Sequence, residues 1–395
     1  MFKRSLTTEL QKLAKKYPVV TLLGPRQAGK TTLVKAAFPK KPYVNMEDPE
    51  SRALATADPK GFMQAYPEGA ILDEVQRVPH LLSYIQVLVD EVDQKGMFIL
   101  TGSHQAELHS AVSQSLAGRT ALLRLLPLSI EEIRYAKITD SFEEILLKGG
   151  YPKIYKEDLP VSNAHSSYFQ TYVERDVRAL LQVKDLIQFE RFIKLVASRV
   201  GQLVNYSSLA QDVGVSAVTI KEWIAVLEAT YVLVRLEPYF ENFGKRLIKS
   251  PKIYFTDTGL VCYLLGIETV EQLKKDTLYG NLFENWAIIE LMKARYNQAL
   301  DPHLYFYRDV SGHEVDLLMQ KGSQLIPIEI KSNKTFTPSF LEGLNYFHTQ
   351  APKRAKDGAL IYGGSQSQKV GKYHLYPIEK CAQIIHHLSE SFSSL

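Results

Sequence analysis

Cysteine is nearly missing: only Cys262 and Cys381 occur in 395 residues. Two thiols provide neither a disulfide framework nor the clustered spacing of a zinc site, and they point to a reducing compartment, the cytoplasm. Long apolar runs are missing as well. None approaches the ~20 residues that span a bilayer, and Pro18 to Leu23 is too short for a signal-peptide core, so a soluble chain with no membrane partner is expected. There are no internal repeats and no low-complexity tracts. Charge of one sign is not in excess either: 47 Lys and Arg stand against 43 Asp and Glu, a net +4 that permits a nucleic-acid partner without demanding one. What is present is the 45% hydrophobic and 23% charged composition of an ordinary globular protein, which excludes disordered and collagenous classes. At roughly 100–200 residues per domain the length predicts two or three domains and excludes a single small binding module.

Short apolar runs alternate with helical sequence along the first third. Residues 5–16 place apolar groups at helical spacing before Pro18, Val19–Leu23 reads as a strand, and 30–38 reads as a second helix. Further apolar runs at 43–45, 70–72, 97–101 and 121–125 continue the alternation, which predicts a parallel α/β sheet to about Pro127. Ser129-Ile130-Glu131-Glu132 is a capping-box sequence, and it opens helical sequence that reaches Leu203, broken by the turn signal Gly149-Gly150-Tyr151-Pro152. Residues 207–227 read as two helices joined at Gly214, 231–256 as strands, and a helix from about Gly280 precedes a strand-rich stretch over 304–363. The expected units are 1–128, 129–180, 181–260 and 261–395, with 389–395 a frayed tail.

Gly24-Pro25-Arg26-Gln27-Ala28-Gly29-Lys30-Thr31 matches G-x-x-x-x-G-K-[ST] between a predicted strand and a predicted helix, the context this phosphate loop requires. Residues Gly24 through Thr32 are therefore expected to hold ATP: backbone amides curl around phosphate oxygens, Lys30 reaches the β and γ phosphates, and Thr31 ligates Mg²⁺. Ala70-Ile71-Leu72-Asp73-Glu74 ends an apolar strand in two acids. Asp73 is expected to hold Mg²⁺ through water and Glu74 to polarise the attacking water, which favours hydrolysis over binding alone. Phe98–Ser103 is a further buried strand whose tip would lie by the γ phosphate, with Thr101 or Ser103 as phosphate sensor; a plain strand-ending turn is the other reading. Arg119, Arg175 and Arg178 are candidates for a transition-state arginine given in cis or by a neighbouring subunit, with an ordinary surface ion pair as the alternative for each.

Farther on, Ser207–Ser216 and the helix through Leu227 follow helix-turn-helix grammar. Ile220, Ile224 and Leu227 are assigned to the core, Ala217, Lys221 and Glu222 outward. The basic cluster Lys245, Arg246, Lys249 and Lys252 is expected to form a wing on DNA phosphates, although Glu222 and Glu228 are poor neighbours for a phosphate backbone and a protein-docking module is the alternative. In the last third, His313–Leu318 and Ile328–Lys331 occupy consecutive predicted strands, with Glu284 on the helix ahead. Asp316 and Glu329 are expected at one end of adjacent strands as Mg²⁺ ligands, Glu284 completing the metal shell, and Lys331 on the same face as Glu329 to position or deprotonate water. This is the pattern of PD-(D/E)XK nucleases; half-exposed strands with alternating charge are the plainer reading.

Taken together, the sequence resembles a large prokaryotic family of AAA-type ATPases whose N-terminal P-loop domain is joined to a C-terminal domain of uncharacterised function. The resemblance covers nearly the whole chain. It rests on residues 24–32, Tyr43–Pro49, Leu72–Gln76, Leu100–Ser103, Ser115–Arg119, Glu174–Val177, Gly244–Arg246 leading to Lys252–Gly259, and Leu282–Asn285. It implies an AAA-like ATPase core, a helical lid, a winged helix-turn-helix and a restriction-endonuclease-like C-terminal α/β domain. By the same resemblance Lys30 and Thr31 serve nucleotide, Asp73 and Glu74 metal and water, and Glu284, Asp316, Glu329 and Lys331 a nuclease-like site. The expectation is an ATP- and Mg²⁺-dependent ATPase acting on DNA, assembled as a homo-oligomer because such ATPases complete their sites with a neighbour's arginine. The alternative is a nucleotide-switched signalling or scaffold protein that docks protein partners through its C-terminal half and cleaves nothing.

Overall fold

The computed structural model describes residues 2–92, 94–103, 114–173, 186–240 and 249–385. Five short strands, β1 (Val19–Leu23), β2 (Tyr43–Asn45), β3 (Ile71–Asp73), β4 (Phe98–Gly102) and β5 (Thr120–Arg124), form a sheet in the order β2-β3-β4-β1-β5. Every pairing in it is parallel. β1 and β4 are buried along their whole length, which is why they read as continuous apolar runs rather than alternating ones. Leu22, Val34 and Ile99 pack on one face of the sheet with Leu6 and Leu10, while Leu72, Leu82 and Leu100 pack on the other. Because β4 lies between β1 and β3, the carboxyl ends of all three strands meet at one edge, where open parallel sheets bind ligands.

Two capping boxes then start short helices. Ser129 opens Ile130–Tyr135 and Ser141 opens Phe142–Lys148, each serine bonding the N3 amide while the N3 glutamate reaches back. Helices Pro152–Glu157 and Val161–Tyr168 follow. Further along, three helices (Leu186–Ala197, Tyr206–Val213, Ala217–Ala229) lead into an antiparallel pair, β6 (Leu233–Leu236) and β7 (Lys252–Phe255). Ser216 caps the third of these helices, and Ile220, Ile224 and Leu227 are buried as the spacing predicts.

The last third is a six-stranded mixed sheet ordered β12-β13-β11-β10-β9-β8, from β8 (Leu304–Arg308), β9 (Glu314–Lys321), β10 (Gln324–Lys331), β11 (Gly358–Tyr362), β12 (Gln368–Val370) and β13 (Tyr373–Pro377). β8, β9 and β10 run as an antiparallel meander, and helix Glu342–Gln350 crosses to β11, parallel to β10. Helix Tyr279–Tyr296 buries eleven of its eighteen residues, among them the polar Asn285, Glu290 and Lys293.

The units meet through buried polar joints. Glu290 accepts from the Ile130 amide at 3.0 Å and pairs with Lys293 at 2.9 Å, and Lys293 donates to the Leu128 carbonyl at 2.8 Å. Asp257 caps Leu260 N at 3.0 Å and accepts from Gly150 N at 2.6 Å. The boundary expected at 260 falls inside helix Thr258–Leu265, and that expected at 180 lies outside the described residues.

Cys262 and Cys381 are 1% and 0% exposed, and burial pushes both thiols above their ordinary range. Neither is expected to react with an aromatic disulfide reagent in the folded protein, whereas urea-unfolded chain titrates two thiols; fast labelling of native protein would contradict this packing. Among the described residues no helix is long and apolar enough to cross a membrane.

Candidate functional site

β1 ends at Leu23, and residues 24–29 turn the chain into helix Lys30–Ala37. Gly24 is required by close approach: a Cβ there would lie 2.1 Å from the Leu125 carbonyl oxygen. Gly29, at φ 93°, is the N-cap and has no side chain to bond the first helical amides, leaving a helix N-terminus suited to an oxyanion. The loop is braced from outside by Arg4, which donates to Ala28 O at 2.6 Å and Leu126 O at 2.7 Å and pairs with Glu132 at 3.1 Å. Of the remaining loop residues, Arg26 reaches Glu47 at 3.3 Å, while Thr32 is exposed on the helix. Pro25 O and Gly24 O each accept from the Lys30 ammonium at 2.9 Å. These are neutral acceptors, which an ammonium exchanges readily for phosphate oxygens. Lys30→Ala is expected to weaken binding of an ATP analogue by roughly 100-fold, the loss of one or two hydrogen bonds to a charged group; unchanged affinity by calorimetry would contradict this role.

The acids of the third strand converge on that loop. Asp73 is 4% exposed and accepts from Thr31 Oγ1 at 2.7 Å, from the Tyr43 hydroxyl at 2.8 Å, and from Thr101 Oγ1. Glu74 follows at φ 55°, a left-handed conformation uncommon outside glycine. Its Oε2 accepts from Ser103 Oγ at 2.9 Å and from Gln76 Nε2, while its amide donates to Thr101 Oγ1 at 3.3 Å. Burial alone would raise this carboxyl. The positive charge of Lys30, the Gln76 bond and the Arg26 charge outweigh burial, and the group is held below its ordinary range, ionised and able to accept a proton.

Thr101 and Ser103 were alternatives for one role, and both meet the acids: Thr101 bonds Asp73, Ser103 bonds Glu74. Tyr43, Gln76 and Arg4 were missed. Tyr43 sits on β2 opposite Ile71, a pairing that no local pattern reveals, whereas Gln76, two residues past Glu74 in the turn Val75–Arg77, was within reach of a spacing argument. Arg119 does not join the site of its own chain. It precedes β5 beside Val19, at the opposite end of β1 from the phosphate loop, and makes a bidentate pair with Asp90 at 2.5 and 2.7 Å. Arg175, Arg178, Lys245 and Arg246 lie outside the described residues.

Thr31, Asp73 and the loop amides form a hard-oxygen, anion-receiving set of the kind that suits Mg²⁺ bound mainly through nucleotide phosphates and water. The C-terminal acids differ. Lys331 contacts Asp316 at 3.0 Å and Glu329 at 2.6 Å, and the Ile330 amide donates to Asp316 at 2.8 Å. Glu284 accepts instead from Lys252 at 3.2 Å and from the Tyr254 hydroxyl, and Lys252 also pairs with Glu314 at 2.5 Å. Among the described residues no three His, Cys, Asp or Glu side chains are grouped to hold a metal ion. The ligand shell expected of Glu284, Asp316 and Glu329 is therefore not formed in this arrangement: Asp316 and Glu329 are paired with Lys331, and Glu284 with Lys252. Lys252 is itself a correction: expected on a DNA-facing wing, it is 4% exposed and faces inward from β7.

Comparison with known proteins matches residues 16–134 to the family described as AAA domain, 139–271 to a domain of unknown function (DUF8612) and 279–381 to another (DUF4143). The chain is 32% identical over 342 residues to "Uncharacterized protein Rv2008c" of Mycobacterium tuberculosis, covering 85% of this chain and 75% of that one, and equally to "Uncharacterized protein Mb2031c" of Mycobacterium bovis. Among solved structures it is similar to the Walker-type ATPase paby2304 of Pyrococcus abyssi, with a TM-score of 0.46 and 15% identity over 67% of this chain and 96% of that one. The N-terminal unit defines an AAA-type ATPase. The chain belongs to the family of the two mycobacterial proteins.

Proposed function

We propose that this protein is an ATP- and Mg²⁺-dependent ATPase that acts on DNA, its P-loop unit driving or switching a DNA-engaging C-terminal half. The observation that supports hydrolysis is the continuous bonded run from Thr31 through Asp73 and Thr101 to Glu74 and Ser103, with Lys30 beside it. The triphosphate rests on the amides after Gly29, with Lys30 on its β and γ phosphates. Thr31 and Asp73 would hold Mg²⁺, which neutralises phosphate charge. Glu74 orients the attacking water and takes its proton, and Ser103 and Gln76 fix the carboxylate that does so.

DNA as partner is supported by chain topology. Three helices run into an antiparallel pair, with Val218, Lys221 and Glu222 exposed on the third helix, an order shared by winged helix-turn-helix modules. The C-terminal meander, crossover helix and parallel β11 support a restriction-endonuclease-like reading of the last unit. ATP turnover measured with duplex, single-stranded and branched DNA tests this reading: stimulation by at least one is expected, and neither stimulation nor gel-shift binding at low salt would remove DNA from it.

A second reading, a nucleotide-switched scaffold without nuclease activity, is favoured by one observation, the lysines that neutralise the C-terminal acids. It predicts that Asp316→Ala and Glu329→Ala preserve function while Lys30→Ala abolishes it. Under both readings the working form is a homo-oligomer, and a strictly monomeric mass with a non-hydrolysable ATP analogue at high protein concentration would refute that.

A further inference from the structure

Going beyond those readings, we propose that Lys252 is the resident cation of the C-terminal acidic site, standing where a divalent ion would bridge the carboxylates, so that such an ion enters only when β7 withdraws. Two acids touch the ammonium, Glu284 from helix Tyr279–Tyr296 and Glu314 from β9, and the charge of Asp316, also on β9, acts on it. Asp316 and Glu329, on β9 and β10, have Lys331 of the same sheet as their partner. Glu284 and Glu314 share a different one, and Glu314 pairs through its other oxygen with Arg308 at 3.0 Å. The Lys252 ammonium arrives from another unit of the chain, on a strand paired with β6, and contacts the two acids at 3.2 and 2.5 Å while Tyr254, two residues on, bonds Glu284.

Three features make Lys252 an occupant of the site rather than an incidental surface pair. Its side chain is 5% exposed, so the acids are its solvation shell. The acids come from two separate elements of the C-terminal unit and share no bond with each other at that point, so the ammonium is what joins them. Finally, carboxylates that chelate a divalent ion turn their oxygens to a common point about 2.0–2.6 Å from it, and here the Glu284 and Glu314 oxygens turn to a nitrogen instead. An ammonium and a divalent cation cannot share that space, because their mutual repulsion in a water-poor pocket is strong. The Lys252 backbone is held on both sides, bridged to Leu203 and paired with Leu236, and its side chain is buried. Cation occupancy is thereby tied to the position of the helix-and-hairpin unit.

The test uses the full chain without nucleotide and MnCl2 as probe, by calorimetric titration and by the shift in Tm that Mn²⁺ produces. Wild-type protein is expected to show no Mn²⁺ binding that Asp316→Asn removes. Lys252→Met is expected to bind one Mn²⁺ per chain and to gain several degrees in Tm on its addition, and Lys252→Met combined with Asp316→Asn is expected to lose both responses. Lys252→Gln is titrated beside it as a polar substitute of similar length. Asp316-dependent Mn²⁺ binding by wild type would overturn the proposal, as would failure of both Lys252 variants to bind Mn²⁺ when folded by circular dichroism. Should neither variant fold, the wild-type and Asp316→Asn titrations decide alone. Since the readout is cation binding, the result is independent of whether the site cleaves DNA.

Discussion

Glu74→Gln is expected to lower ATP turnover by roughly 10²–10⁴-fold while leaving nucleotide affinity unchanged, the range for loss of a positioned general base. The amide keeps the shape of the side chain and its bond to Ser103 but cannot accept a proton from water. Asp73 and Lys30, the residues proposed to serve metal and phosphate, are untouched, so binding is expected to survive. The pH profile gives a second check. Because Lys30, Gln76 and Arg26 together hold the Glu74 carboxyl below its ordinary range despite burial, the base stays ionised as pH falls. Turnover should therefore not decline between about pH 8 and pH 6 through this group. A Glu74→Gln protein with wild-type turnover would remove Glu74 from the chemistry.

The largest expected effect on stability belongs to Lys293→Met. Lys293 and Glu290 form an ion pair with 5% and 1% side-chain exposure, and both reach across to the start of the helical unit, to Leu128 O and Ile130 N. Removing the cation leaves a buried carboxylate without its charge partner, which costs about 3–5 kcal/mol, read as a lowered urea midpoint. Glu290→Gln combined with Lys293→Met should recover part of the loss, since neither charge then remains. Burial raises the Glu290 carboxyl even with Lys293 present. Losing Lys293 removes the charge that opposes this rise, so the folded state binds its proton more tightly than the unfolded chain does, and lowering the pH should narrow the deficit. A Lys293→Met protein with the wild-type midpoint would show that this joint contributes little.

The N-terminal site was the most legible part of the sequence, because its chemistry is local. Strand, glycine turn, Lys30 and Thr31 are contiguous, and Asp73-Glu74 ends its own strand. What local sequence does not encode is which end of a sheet a residue occupies or which distant group it meets. Arg119 has the right chemistry, yet parallel register places it at the opposite end of β1 from the loop. Tyr43 joins Asp73 only through strand order. Lys252 was misread for the same reason: beside Lys245, Arg246 and Lys249 it looks like one of four surface cations, and its burial becomes intelligible only with Glu284 and Glu314 in place. Of the C-terminal acids, Asp316 and Glu329 meet Lys331, whereas Glu284 is joined to Glu314 by Lys252, a cation from a strand outside that sheet.

Hydrolysis at the P-loop is tested most directly by phosphate release from ATP with and without Mg²⁺, by wild type, Lys30→Ala and Glu74→Gln side by side. Wild type should release phosphate only with Mg²⁺, and both variants should lose turnover, with ATP binding retained in Glu74→Gln alone. Wild-type turnover by the Lys30→Ala protein would contradict hydrolysis at this site.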